Sequence, residues 1–146
     1  MNNVLSEFGE RLTELMFYAD INSEQLGLAV GISGESIRRY SKGQSGMNLD
    51  KLNIIADYFK CSIDFLLGRT DEQLDFMLHP ALPFKERIRE VLKENGHSRY
   101  SLDKQTRFKD SFFSKWDKGA APNIFTLIEL ADFLNCSVDY LVGRAR

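Results

Sequence analysis

The sequence of 146 residues predicts an all-α protein made of two tandem five-helix domains. The first observation is an internal echo, since Ile63–Thr70 (IDFLLGRT) returns near the end of the chain as Val138–Ala145 (VDYLVGRA). The second is that apolar residues recur at the three- and four-residue spacing of amphipathic helices, without an evident strand. A repeat at a fixed period identifies the architecture before any single element does.

The first copy, predicted to span residues 1–70, carries the signals of five short helices. Polar N-cap residues and terminating glycines separate runs in which the apolar residues share one face. These boundary residues are Asn22, Gly31, Ser33, Ser62 and Gly68. Only VGIS separates the second helix from the third. A helix pair joined by a Gly-containing turn of this length is the helix-turn-helix arrangement.

The second copy, predicted to span residues 84–146, aligns with the first at an offset of 76 residues. One residue is lost in the loop after the third helix, and the match continues at an offset of 75. Identical pairs run from Phe8/Phe84 to Arg69/Arg144, and apolar pairs such as Tyr40/Trp116 agree in kind. The pattern predicts a tandem duplication.

Residues 71–83 connect the copies and are too apolar for a free, solvated linker. We expect a short helix from about Asp71 to Leu78, because Thr70 and Gln73 resemble a capping box and Pro80 disfavours further helix. The apolar residues are expected to dock between the copies or against a second chain. They are Leu74, Phe76, Met77, Leu78 and Leu82.

Composition and the absence of targeting signals restrict the class of protein. An apolar content of 43% with 27% charged residues excludes a disordered chain. The first residues show no secretion signal, and no stretch approaches the roughly 18 apolar residues of a membrane span. The chain is therefore expected to be cytoplasmic, with no membrane partner. Cys61 and Cys136 lack a neighbouring ligand set and are expected to be small core residues.

The formal charge differs between the copies. The whole chain carries −2, but residues 84–146 carry twelve Lys and Arg against nine Asp and Glu, a net of +3. Residues 1–70 carry −2 and the connector −3. Charge alone therefore favours the second copy as the one that would face phosphates.

Catalytic and metal-binding patterns are absent from the sequence. His79 and His97 are the only histidines, and neither has Cys, Asp or Glu at ligand or triad spacing. No Gly-rich phosphate loop follows a strand. We therefore expect no enzyme, no metal site and no cofactor.

Two stretches of the first copy resemble one known family. Asn22–Gly43 (NSEQLGLAVGISGESIRRYSKG) and Leu49–Thr70 (LDKLNIIADYFKCSIDFLLGRT) are similar to the lambda-repressor-like, Cro/repressor-type helix-turn-helix domain, also called the XRE family. The resemblance covers both copies and implies two tandem five-helix lambda-repressor-like helix-turn-helix domains. It implies a sequence-specific, double-stranded-DNA-binding transcriptional regulator, a repressor of phage or bacterial type, associated with the nucleoid.

The family places its third helix in the major groove, where the N-terminal residues of that helix reach base edges. In the first copy this implies base contacts from Gly34, Glu35 and Arg39, since Arg pairs with guanine and Glu accepts from cytosine. The alternative is a solvated polar face. The predicted DNA-binding residues of this copy are Ser23, Ser33, Gly34, Glu35, Ser36, Arg38, Arg39 and Lys42.

The second copy departs from the pattern at two positions. Arg107 replaces the turn glycine, which would cost about 1 kcal/mol if positive φ were still required. Phe112 is expected on the exposed side, where it would touch either a thymine methyl group or a protein partner. The predicted DNA-binding residues of this copy are Arg99, Lys109, Asp110, Ser111, Phe112, Ser114, Lys115 and Lys118.

Two arrangements on DNA and one alternative function stay open at the level of sequence. One chain would act as an intramolecular pseudo-dimer on half-sites roughly 34 Å apart, or whole chains would form a homodimer. No small-molecule ligand is expected, because no effector domain is evident. The alternative is a protein-interaction module, in which one or both copies bind a protein partner instead of DNA.

Overall fold

The computed structural model describes residues 2–73 and 78–145, which form ten α-helices and no β-strand. The all-α prediction is confirmed. Backbone contacts divide the chain into two compact units, Met1–Met77 (unit 1) and Leu78–Arg146 (unit 2). Unit 1 contains α1 (Asn2–Ala19), α2 (Ser23–Val30), α3 (Gly34–Ser41), α4 (Leu49–Phe59) and α5 (Ile63–Leu66). Unit 2 contains α6 (Phe84–Glu94), α7 (Arg99–Gln105), α8 (Asp110–Asp117), α9 (Ile124–Phe133) and α10 (Val138–Leu141).

Side-chain caps fix where the helices of unit 1 begin. Asn22 Oδ1 accepts from Gln25 N at 2.8 Å while Gln25 Oε1 accepts from Asn22 N at 2.9 Å, which closes a capping box at α2. Ser33, Asn48 and Ser62 cap α3, α4 and α5 with a side-chain oxygen that accepts from the backbone N–H three residues further on. Each cap satisfies a backbone N–H that the first turn of a helix leaves without a partner.

The core of unit 1 lies between α1 and the other four helices. Its fully buried side chains include Phe8, Leu12, Leu26, Ile37, Leu52, Ile55 and Leu66. Ile37 and Tyr40 anchor α3 from its inner face, so the opposite face of this helix is turned to solvent. The packing of the inner face therefore decides which side chains α3 presents.

The core of unit 2 is more aromatic. Phe84, Phe108, Phe113 and Trp116 are buried, and the ring of Trp116 lies 5.1 Å from that of Phe84 and 5.0 Å from that of Phe113. Ser98, Asn123 and Ser137 cap α7, α9 and α10. Neither α6 nor α8 has a side-chain cap.

The two units place left-handed residues at corresponding positions. The corresponding pairs, at offsets of 76 and then 75, are Asp20/Gly96, Gly43/Gly119, Lys60/Asn135 and Gly68/Gly143. Gly31, with φ of 74°, has no left-handed counterpart in unit 2. The backbones therefore follow the same turns except at the junction between the second and third helices.

The echoed segments close the core of each unit. The residues of α5 and α10 are buried, apart from Tyr140, which is half-buried. An ion pair follows each helix, with Nε–Oδ1 distances of 3.1 Å for Arg69–Asp64 and for Arg144–Asp139. Arg144 is only 1% exposed. A buried guanidinium persists only when a paired carboxylate and further hydrogen bonds compensate for lost hydration.

The second half of the connector belongs to unit 2. His79 N donates to Arg144 O at 2.7 Å and Leu82 N donates to Val142 O at 3.0 Å. The Leu82 side chain packs against Gly143 of the same unit, and its predicted docking between the copies or against a second chain stays a prediction.

The remaining expectations for the connector fall mostly outside the described residues. The expected helix between Asp71 and Leu78 includes residues 74–77, which lie outside the described residues. The predicted contacts of Leu74, Phe76 and Met77 therefore lie outside them as well. Residues 71–73 are not helical. Elsewhere, Cys61 is buried and Cys136 half-buried. No described helix is both long enough and apolar enough to cross a membrane.

Candidate nucleic-acid interface

Backbone hydrogen bonds and a close backbone approach define the α2–turn–α3 segment of unit 1. Gly31 N and Ile32 N both donate to Gly27 O, at 2.8 and 3.0 Å, and the left-handed Gly31 reverses the chain as predicted. A Cβ atom added to Gly27 would lie 2.3 Å from Ile32 O, so only glycine fits there. Sequence reasoning missed Gly27, although a glycine inside a helix usually has a packing reason.

The outer face of α3 presents most of the predicted DNA-binding side chains to solvent. Glu35, Arg38, Arg39 and Lys42 are exposed. Ser33 and Ser36 serve the helix start, since Ser33 Oγ accepts from Ser36 N at 3.1 Å and lies 2.9 Å from Ser36 Oγ. The predicted set is therefore divided between a structural cap and an exposed charged face.

An ion pair joins α2 to α3 across this face. Arg38 Nη1 donates to Glu24 Oε1, with both side chains about half exposed. Glu24 lay outside the predicted set, because an acid in the first turn of a helix normally serves the helix dipole. Arg39 and Lys42, by contrast, make no ion pair with any side chain that the structure describes. These two are the cations of α3 available to a phosphate or a base.

The corresponding junction of unit 2 is built differently. α7 ends at Gln105, and Thr106 is extended, with φ of −138°. Thr106 Oγ1 donates to Leu102 O at 2.6 Å and accepts from Phe108 N at 3.0 Å, so this hydroxyl replaces a left-handed residue. Arg107 does not adopt positive φ. The condition under which Arg107 would be strained is therefore not met, because the turn of unit 2 does not require positive φ at this position.

The second and third helices of unit 2 also stand further apart than α2 and α3. The position of Gly27 is occupied here by Asp103, and a side chain at that point prevents the close backbone approach seen in unit 1. Lys109 fills the junction instead, with its Nζ 3.3 Å from Asp103 Oδ1. That unit 2 forms a second helix-turn-helix domain stays a prediction.

Most cations around α8 are already paired. Arg99 lies 3.2 Å from Asp110, and Arg107 lies 2.8 Å from Glu129 on α9. Lys115 Nζ lies 5.7 Å from the centre of the Phe112 ring. Ser111, Ser114 and Lys118 are exposed. Lys115 and Lys118 form no ion pair among the described residues, so these contacts engage the arginines around α8 but leave the positive surplus of unit 2 in place.

A further ion pair ties α8 to α6. Arg89 Nη2 donates to Asp117 Oδ2 at 3.0 Å. This hydrogen bond, with the positive charge of the guanidinium, lowers the pKa of the Asp117 carboxyl. The contact orients α8 at its C-terminal end but removes another cation from the surface.

Phe112 is half-buried rather than exposed. Its ring lies 5.0 Å from that of Phe108 and 5.9 Å from that of Trp116, and the Arg107 guanidinium lies 5.3 Å from it. The prediction of an exposed side chain is wrong, because the aromatic core extends outward to include it. Only part of the ring is accessible to a thymine methyl group or a protein.

The structure gives His97 a packing role. Its ring lies 4.8 Å from that of Phe133, and its Nδ1 lies 3.2 Å from Ser101 Oγ. Across the described residues, no group of three or more His, Cys, Asp or Glu side chains is placed to hold a metal ion.

Comparisons with known proteins agree with the geometry of unit 1. Residues 11–72 match the family of Cro/C1-type HTH DNA-binding domains, so this stretch carries such a domain. The chain is also 27% identical, over 135 residues, to antitoxin PezA from Streptococcus pneumoniae serotype 4 (strain ATCC BAA-334 / TIGR4). That match covers 92% of this chain and 80% of the antitoxin. No solved structure matches the chain significantly.

Proposed function

We propose that the protein is a sequence-specific, double-stranded-DNA-binding transcriptional regulator that reads its site mainly with α3 of unit 1. The observation that carries the proposal is the exposed face of α3 within a Cro/C1-type DNA-binding domain, where Arg39 and Lys42 are unpaired among the described side chains. The tight glycine junction supports it, because it fixes α3 rigidly relative to α2. Repression is the proposed outcome of binding.

Each side chain has a proposed role in the complex. α3 enters the major groove, where Gly34 lies in the first turn that reaches base edges and Glu35 accepts from cytosine N4. Arg39 pairs with guanine, a contact worth about 1–3 kcal/mol of discrimination. Lys42 binds a phosphate, and Ser23, at the N-terminus of α2, binds another where the helix dipole favours an anion.

We also propose that unit 2 is a diverged second copy, with domains at residues 1–70 and 84–146 joined by residues 71–83. The matching left-handed positions and the matching ion pairs, Asp64–Arg69 and Asp139–Arg144, support this duplication. Its α8 would contact DNA more weakly, through Asp110, Ser111 and Lys115, because the neighbouring Arg99 and Arg107 are engaged by acids of the same unit.

A salt series tests the proposal. The logarithm of the binding constant of the purified chain for mixed-sequence duplex should fall steeply and linearly with the logarithm of salt concentration. The reason is that phosphate contacts release counterions. Fluorescence anisotropy of a labelled duplex would measure it. No binding to duplex DNA even at low salt would contradict the regulator.

Selection from random duplexes then reports how the chain sits on its site. Two half-sites per chain, roughly 34 Å apart, would indicate an intramolecular pseudo-dimer. One half-site per chain, with two chains sedimenting together on the duplex, would indicate a homodimer.

A second candidate function is the binding of a protein partner by unit 2. The observation that favours it is that the similarity to an antitoxin spans 92% of the chain, well beyond the DNA-binding domain. Calorimetric titration of a partner isolated by cross-linking tests it. The partner should bind the Arg39→Ala variant normally and bind a variant at the exposed Tyr100 of α7 more weakly. Equal binding to both variants would exclude this surface of unit 2.

A further inference from the structure

The carboxylate of Glu24 lies over the first turn of α3. A Cβ atom added to Gly34 would lie 2.4 Å from Glu24 Oε1 and 2.5 Å from Oε2, so the carboxylate occupies the space that a side chain would take. It thus lies at the positive end of the α3 dipole, where a negative charge is favoured.

The same carboxylate also binds Arg38, one turn further along α3. Arg38 has a side chain that reaches toward solvent and is 48% exposed, yet its guanidinium is held by an acid of the neighbouring helix. A protein whose affinity for DNA rested on phosphate contacts alone would gain from releasing this cation. The pairing instead removes one phosphate ligand from the surface of the free protein.

We propose that Glu24 is a positioning residue that competes with DNA phosphate for Arg38 and so weakens binding to duplex DNA of any sequence. This inference rests on the proposed function of α3. Binding to unrelated sequences comes almost wholly from phosphate neutralisation, so an arginine held by a carboxylate supplies one phosphate contact fewer there. At the correct sequence the base contacts hold α3 deep in the groove, and a half-exposed ion pair worth about 0–1 kcal/mol yields to a well-placed phosphate.

Unit 2 lacks this arrangement. Tyr100 stands at the position of Glu24, and the acid of its inter-helix pair, Asp110, lies on α8 itself. The pair in unit 2 therefore leaves no acid of the second helix over the start of the third. The restraint on Arg38 belongs to unit 1, which is also the unit proposed to discriminate between sequences.

The experiment compares Glu24→Gln with the wild-type chain on two short duplexes, one enriched by selection and one of random sequence. Affinity for the random duplex should rise roughly fivefold at about 0.15 M salt, with a salt slope steeper by about 0.9, the signature of one additional phosphate contact. Affinity for the selected duplex should rise at least as much, because the ion pair no longer has to be broken there. Its salt slope should stay unchanged, since Arg38 already contacts phosphate on that duplex.

Arg38 supplies the decisive control. In an Arg38→Gln background, adding Glu24→Gln should produce no steeper slope, since the carboxylate acts through the arginine. Glu129→Gln, which removes an acid from a comparably exposed pair in unit 2, should leave binding to the random duplex unchanged. The free energy of unfolding, measured by thermal denaturation, should stay within about 1 kcal/mol of the wild-type value, because exposed ion pairs contribute little to stability.

Three results would overturn the inference. They are an unchanged affinity for random duplex, an unchanged salt slope on that duplex, and a steeper slope that persists without Arg38. A wild-type chain that bound no duplex at low salt would instead reject the proposed function, so the two failures are distinguishable.

Discussion

The two inter-helix junctions differ far more than the units that contain them. In unit 1 a left-handed Gly31 and a side-chain-free Gly27 bring α2 and α3 into backbone contact. In unit 2 the extended Thr106 makes the turn with its hydroxyl, and Asp103 keeps α7 and α8 apart. The difference teaches that two small residues, in addition to the apolar core, set how closely the third helix approaches the second.

The availability of charge differs along with the junction. Arg39 and Lys42 of unit 1 find no acid among the described side chains, whereas Arg99 and Arg107 of unit 2 are engaged by acids of the same unit. Lys115 and Lys118 of unit 2 also form no ion pair among the described residues. The expectation from net charge, that the second copy faces phosphates, stays a prediction.

The largest expected effect comes from filling the space at Gly27. Gly27→Ala should destabilise unit 1 by about 1–3 kcal/mol, because the new Cβ meets backbone atoms that cannot move aside. An alanine inside a helix would otherwise stabilise it by about 0.5–1 kcal/mol, so the sign is informative. Urea unfolding followed by circular dichroism measures the loss. Trp116, the only tryptophan, lies in unit 2 and should report an unchanged transition there.

The next effect separates the units on DNA. Arg39→Ala should weaken binding to a selected duplex by about 1–3 kcal/mol and relax the preference at one base pair. Lys115→Ala, at the corresponding position of α8, should weaken it by less, since this lysine already lies against the Phe112 ring. Anisotropy titrations of both variants measure the difference. Equal losses would show that both third helices contact bases.

The sequence predicted the elements of the fold well because their signals are local. Caps such as Asn22 and Ser33, the turn at Gly31 and the closing helices all depend on residues a few positions apart. The partial burial of Phe112 could not be predicted in this way, because it depends on how Phe108 and Trp116 pack around its ring. Local rules place a side chain on a face, while tertiary packing decides whether that face stays exposed.

The candidate site was less predictable than the fold. Exposed Glu35, Arg39 and Lys42 follow from their spacing on α3, since Ile37 and Tyr40 define its inner face. The ion pair between Glu24 and Arg38 could not be predicted from this spacing, because it joins residues of two helices and depends on Gly34 having no side chain. The turn at Thr106 was missed for a related reason. Its side-chain hydroxyl makes the hydrogen bonds of the turn, whereas the sequence pattern looks for a glycine with positive φ.

A smaller effect should come from the hydroxyl of Thr106. Thr106→Val keeps the shape of the side chain but leaves Phe108 N–H without its acceptor, which should destabilise unit 2 by about 0.5–1.5 kcal/mol. Trp116 fluorescence during urea unfolding measures it, since the ring lies in the adjacent aromatic core. Thr106→Ser, which retains the hydroxyl, should lose much less. An unchanged midpoint for the valine variant would mean that the turn does not depend on this bond.

The smallest effect concerns Arg107, and its sign is the useful observation. If Arg107 were strained at positive φ, Arg107→Gly would stabilise unit 2 by about 1 kcal/mol. Since it is not, the substitution should be neutral or destabilising by less than about 1 kcal/mol, through loss of the exposed pair with Glu129. Gly31→Ala in unit 1 is the matched variant and should cost about 1 kcal/mol, because φ is 74° there although the space is open. Opposite signs at the two positions would show that the junctions share one geometry after all, whereas small losses at both keep them distinct.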